Sequence, residues 1–170
     1  MNIQTFIFNW NRVDKSVEEI FNQLNSSGID VNVINSTNKN REGWINVGED
    51  YWCYGQTYTA FSKFDESNDY LNIIFGDVEY DDYVYLVNRT KEVLESIPNI
   101  GVFAPDYSNK EKCWWTIDET SVERYDNENV IQFDDDRIIA STICDFFCIT
   151  IHRDLVKLYL KFLEHFISIN

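Results

Sequence analysis

The chain has 170 residues with 29 acidic and 14 basic side chains, a formal charge of −15, 44% hydrophobic and 16% aromatic residues, and only two prolines and six glycines. This length suits one domain with one core, and the apolar and aromatic content excludes a disordered chain despite the charge. So acidic a surface repels phosphate backbones, and with no basic patch in the sequence no direct nucleic-acid binding is expected.

Ile3 to Asn9 carries Ile3, Phe6, Ile7 and Phe8 and runs into the polar cluster Asn9-Trp10-Asn11-Arg12, the pattern of a buried strand ending in a loop. From Lys15 to Leu24 the positions Val17, Ile20, Phe21 and Leu24 fall at helical spacing, with Ser26-Ser27-Gly28 as a stop. A second strand, Ile29 to Ile34, completes a βαβ unit, whose strands should be parallel and whose crossover should be right-handed. Thr37 to Gly48 is polar and reads as a loop, and the aromatic segment Tyr51 to Phe64 reads as a short helix on the sheet edge.

Tyr70 to Phe75 is the next buried strand. It stops at Gly76-Asp77-Val78-Glu79, and Tyr80-Asp81-Asp82 leads into a helix from Tyr83 to Ser96, with its acidic residues favourably near the N-terminus. Val102-Phe103-Ala104, ended by Pro105, makes a short strand. Residues 113 to 133 hold short β-like runs split by acidic turns, the pattern of a small antiparallel ribbon. Ile138 to Ala140 and Phe146 to Ile151 supply the last strands, and Arg153 to Phe166 an amphipathic helix. The expected architecture is one α/β domain over residues 1–170, with a mostly parallel mixed sheet, flanking helices and that ribbon.

The first residues lack a basic n-region and a small-residue cleavage site, and no apolar run approaches the ~20 residues of a membrane span. Neither secretion nor membrane insertion is expected. Cys53, Cys113, Cys144 and Cys148 form no C-x-x-C pair and have only His152 and His165 as imidazole companions, so reduced thiols in a cytoplasmic protein are expected.

Asp77 and Glu79 directly follow a buried strand, at the edge where open α/β sheets bind ligands. Two carboxylates at i and i+2 in an extended turn project to one side and can share a hard divalent cation whose shell is completed by water and phosphate oxygens. A nucleoside-diphosphate sugar needs that chemistry, because negative charge develops on the leaving diphosphate. Asp134-Asp135-Asp136 and Asp145 are further acids placed near strands, His152-Arg153 opens the last helix, and Trp114-Trp115 offers stacking surface. Solvated turns, ion pairs and core packing are the commoner roles of such residues. No P-loop, G-x-S-x-G or G-x-G-x-x-G pattern is present.

The run Leu71-Asn72-Ile73-Ile74-Phe75-Gly76-Asp77-Val78-Glu79, followed by a helix and Val102-Phe103-Ala104-Pro105, resembles the GT-A nucleotide-diphospho-sugar transferases of the family-2 type over roughly residues 3 to 155. The resemblance implies a Rossmann-like GT-A fold and a metal-dependent glycosyltransferase, or its donor-binding domain, using Mn²⁺ or Mg²⁺. It implies that Asp77 and Glu79 hold the metal and that Asp77 also contacts the diphosphate. Asn9, Asn11 and Arg12, after the first strand, and Asn35 and Ser36, after the second, would lie near the nucleotide. Asp136 and Asp145 are the candidates for the catalytic base. Asn35 stands where the family often has an acid, and the family's acceptor segment is expected to lie outside these residues, which leaves room for a homo-oligomer or a partner subunit. Two other readings stay open: an acidic inhibitor that imitates nucleic acid, and a catalytically inactive interaction module on the same scaffold.

Overall fold

Two of the strands are buried along almost their whole length rather than alternating, as strands covered on both faces are. The computed structural model describes residues 1–51, 53–97, 99–105, 131–132, 139–140 and 148–169, and it places those two strands at the centre of a six-stranded sheet. In chain order the elements are β1 (Ile3–Asn9), α1 (Asp14–Ser26), β2 (Val31–Asn35), β3 (Ile45–Asn46), α2 (Cys53–Lys63), β4 (Tyr70–Phe75), α3 (Tyr83–Ser96), β5 (Val102–Phe103), β6 (Ile131–Gln132), β7 (Ile139–Ala140), β8 (Cys148–His152) and α4 (Arg153–Ile169). The sheet order is β3-β2-β1-β4-β8-β5. The first four strands are parallel, and β8 runs antiparallel to both its neighbours.

The chain is thus an α/β protein with a mixed sheet, as its sequence pattern implies. β1, β4 and α3 have the expected bounds, while β3 lies inside the stretch expected to be a loop. Of the ribbon expected over 113 to 133, only Ile131–Gln132 is described, and it pairs antiparallel with Ile139–Ala140.

From β1 the chain crosses outward to β2 and β3, then returns past β1 to β4. Right-handed crossovers in opposite directions put α1 and α2 on opposite faces, and α3 packs with α1 while α4 packs with α2. This explains the burial on both faces of β1 and β4, where Phe6, Ile7, Phe8, Leu71, Ile73 and Ile74 are at most 1% exposed. Each such side chain contributes roughly 1.5–3 kcal/mol through burial. The helices match it with single stripes, Val17, Ile20 and Leu24 on α1 among them.

One buried polar row crosses this core. Thr5, Asn72 and Thr150 are register partners on β1, β4 and β8. Thr150 donates to Asn72 Oδ1 at 3.1 Å, and Asn72 Nδ2 reaches Thr5 Oγ1 at 3.4 Å. A slip of β8 by one residue would leave the Thr150 hydroxyl and Asn72 Oδ1 without each other in a buried interior, so the row fixes the alignment of the antiparallel strand.

Candidate functional site at the carboxyl edge

The reversal of winding between β1 and β4 creates a switch point, the place where open α/β sheets leave a crevice beyond the strand ends. The two strand ends are close there. Gly76 N donates to Phe8 O at 3.0 Å, and Trp10 meets the Phe75 ring edge-on at 6.1 Å. Only glycine fits at position 76, because a Cβ would lie 2.4 Å from Val17 Cγ2 and 2.8 Å from both Phe8 O and Val13 Cγ2.

Register also brings three asparagines into line, since Asn9 pairs with Asn35 and Asn35 with Asn46 at the ends of β1, β2 and β3. Asn9 Nδ2 donates to Asn35 Oδ1, and Asn35 Nδ2 to Asn46 Oδ1, each at 2.8 Å. Asn46 Nδ2 ends the row on the carbonyls of Arg41 and Trp44. Asn9 Nδ2 also donates to Asp14 on α1, and Asp14 in turn pairs with Arg41 at 3.0 Å. Arg41 makes a second ion pair with Glu18 and lies over the Trp44 ring, so the segment carrying β3 is strapped to α1. These carboxylates raise the Arg41 pKa above its usual value, Glu18 having the largest effect.

From the other face Gln56 of α2, 1% exposed, donates through Nε2 to the carbonyls of Asn9 and Ile34 at 2.9 and 3.0 Å. Ser36 donates to the same Asn9 carbonyl through both its amide and its hydroxyl. Asn9, Asn35 and Ser36 are therefore buried and use these donors within the fold. Asn9 Oδ1 alone is buried without a partner among the described residues. Asn11 and Arg12 are exposed beside them, Asn11 donating to Glu49 at 2.6 Å.

The acidic turn follows β4. Val78 is buried and anchors it, so Asp77 and Glu79 on either side face outward. Tyr83 on α3 locks the turn: its hydroxyl donates to Val78 O at 2.5 Å and accepts from Tyr80 N at 3.1 Å. Burial raises the Tyr83 pKa. Burial of its carboxyl likewise raises the Asp77 pKa, although the residue as a whole is exposed and solvent weakens the effect. Glu79 lines an open depression of about 330 Å³ with Tyr80, Asp81, Asp82 and Tyr85. Asp82 is the N-cap of α3 and accepts from Tyr85 N at 2.8 Å, which satisfies one of the helix's free donors.

Asn9, Asn11, Arg12, Asn35, Ser36, Asp77 and Glu79 thus lie along one edge of the sheet. Asp136 and Asp145, with Asp134, Asp135, Trp114 and Trp115, fall outside the described residues. Arg153 does not join the edge: Tyr70 is the register partner of His152, so Arg153 sits at the opposite end of β4, paired with Asp69. Sequence reasoning missed Gln56 and Tyr83. A single amide on the inward side of an aromatic helix was the available signal for Gln56, and Tyr83 gave none beyond its place after the acidic run.

Among the described residues no three acidic, histidine or cysteine side chains converge as a metal set, and no helix is long and apolar enough to cross a membrane. Cys53 is a free thiol, and burial raises its pKa. Titration of the denatured, unreduced protein with a thiol reagent should count four free thiols, and a lower count in fresh material would contradict this expectation. Comparison of the chain with protein-family models, curated proteins and solved structures finds no match.

Proposed function

We propose that the chain binds a nucleoside-diphosphate sugar at this edge through Mn²⁺ or Mg²⁺, as a cytoplasmic, metal-dependent glycosyltransferase of GT-A type or its donor-binding domain. The observation that carries the reading is the Asp77-Val78-Glu79 turn, fixed by Val78 and Tyr83 at the switch point of a mostly parallel sheet. Two carboxylates suit a hard cation that keeps several waters and takes its other ligands from phosphate, which needs no third protein acid. When bound, the metal would neutralise charge on the departing diphosphate. The chain's own residues would do the rest. Asp77 and Glu79 orient the diphosphate, and exposed Arg12 offers a cation on the facing loop. Nucleic-acid imitation is less well supported, because helix carboxylates such as Glu19, Glu92 and Glu95 are interleaved with the basic partners Lys15, Arg89 and Lys91.

Calorimetric titration with uridine and guanosine diphosphates should show binding with Mn²⁺ and none in chelator. Asp77→Ala/Glu79→Ala should remove the metal-dependent part while leaving the circular dichroism spectrum unchanged. Equal affinity in chelator would end this assignment. Metal binding needs ionised Asp77, so affinity should be fullest near neutral pH and begin to fall at a higher pH than for an ordinary exposed carboxylate. Stability of the metal-free protein carries the opposite sign: the raised carboxyl favours the folded state in acid, and that contribution is lost as pH rises through the Asp77 pKa.

A further inference from the structure

Among the described residues, the layer formed by α2 and α4 carries four of the seven exposed large apolar side chains. Leu158 is 62% exposed, Phe162 59% and Tyr159 49% on α4, and Tyr54 on α2 is 89% exposed. The two helices meet where Tyr159 approaches Phe61, with ring centroids 6.3 Å apart. Charge favours this face over that of α1, where Lys15 stands against Asp14, Glu18 and Glu19. Within a chain of formal charge −15, α2 carries no acid, and α2 and α4 together hold Lys63, Arg153, Lys157 and Lys161 against Asp154 and Glu164. Copies of so acidic a protein repel one another, and the repulsion is weakest where the charge is balanced.

The exposed stripe also carries its own complement. Lys161 and Glu164 flank Phe162 on α4, both are exposed, and neither has an ion-pair partner among the described residues. A two-fold axis across the helix, between Phe162 and Leu163, sets two copies of α4 antiparallel. It brings Lys161 beside the partner's Glu164 and Glu164 beside the partner's Lys161. A two-fold contact must be self-complementary in this way, and a parallel or heterologous contact would not pair these charges twice.

We infer that the α2/α4 face is a docking surface for a second copy of this chain, formed by antiparallel pairing of α4 about Phe162. The inference is independent of the proposed donor site, which lies at the carboxyl edge of the strands. Sedimentation equilibrium should show a monomer–dimer transition in the intact protein. Leu158→Glu should abolish the dimer, with circular dichroism confirming that this exposed substitution leaves the fold unchanged. Lys161→Glu, which replaces two attractions by two repulsions, should weaken the dimer about tenfold, and adding Glu164→Lys to it should restore the affinity. A protein that stays monomeric to about 1 mM, the weak end of specific association, would overturn the inference. So would failure of the charge swap to restore the dimer. Protection of Leu158 and Tyr159 from hydroxyl-radical labelling in the monomer would likewise overturn it, since the face would then be covered by the rest of the chain.

Discussion

Asn35→Leu should lower stability by about 2–4 kcal/mol, because Asn35 serves three partners at once. It accepts from Asn9 and donates to the Lys39 carbonyl and to Asn46 Oδ1. Each lost bond counts for about 1 kcal/mol, more where its partner is left buried. At ~2–4 °C per kcal/mol for a domain of this size, thermal unfolding should come roughly 5–15 °C earlier. Asn35→Asp carries a sharper signature. The new oxygen would face two acceptors in a buried site, so the folded state should hold the carboxyl protonated well above its unfolded value of about 3.9. That variant should be nearest to wild type in acid and lose stability as pH rises, a trend denaturant melts at several pH values would reveal. A nucleotide-contacting Asn35 would instead give variants of normal stability and weakened binding, so melting and calorimetry together separate the two roles.

Gly76→Ala should be the most damaging single-methyl change at the site, at about 1–3 kcal/mol for an overpacked contact. Val17 and Val13 can shift, but the Phe8 carbonyl, 2.8 Å from the new Cβ, belongs to the central strand and cannot. Val17→Ala alone leaves a cavity beneath the same turn and should also destabilise. Combining the two removes the 2.4 Å contact, so the double variant should be less destabilised than the sum of the singles. Strict additivity in this cycle would show that the strain at Gly76 is not set by Val17.

The parts of the fold visible in the sequence are those with one repeating signal. β1 and β4 were legible from the apolar runs Phe6-Ile7-Phe8 and Ile73-Ile74-Phe75, α1 from apolar residues at helical spacing, α3 from the acidic residues that precede it, and the acidic turn from its position after Phe75. β3 was not, because Ile45 and Asn46 form a strand through the Asn35 amide and the bond from Val47 N to the Asn35 carbonyl. Such bonds depend on which strands are neighbours. The same limit governs the site. Asn9 and Asn35 read as polar residues at strand ends, suited to a ligand, and only the register shows that they align with Asn46. The antiparallel course of β8 was equally hidden, since Cys148 to Ile151 would be as apolar in either direction.

That course ranks the strands by when they can be assembled. Among the described residues β5 joins the sheet only through β8, where Val102 pairs with Ile151 and Phe103 with Thr150. A growing chain can therefore close β3, β2, β1 and β4 into a sheet soon after Phe75 is made, while β5 has no docking place until Cys148–His152 arrives. Throughout that interval one side of β4, from Tyr70 to Ile74, is a bare and mostly apolar strand edge, open to pairing with any other chain. β8 is thus the strand that ends the molecule's period of greatest aggregation risk, and chains interrupted before Cys148 should be the ones that precipitate.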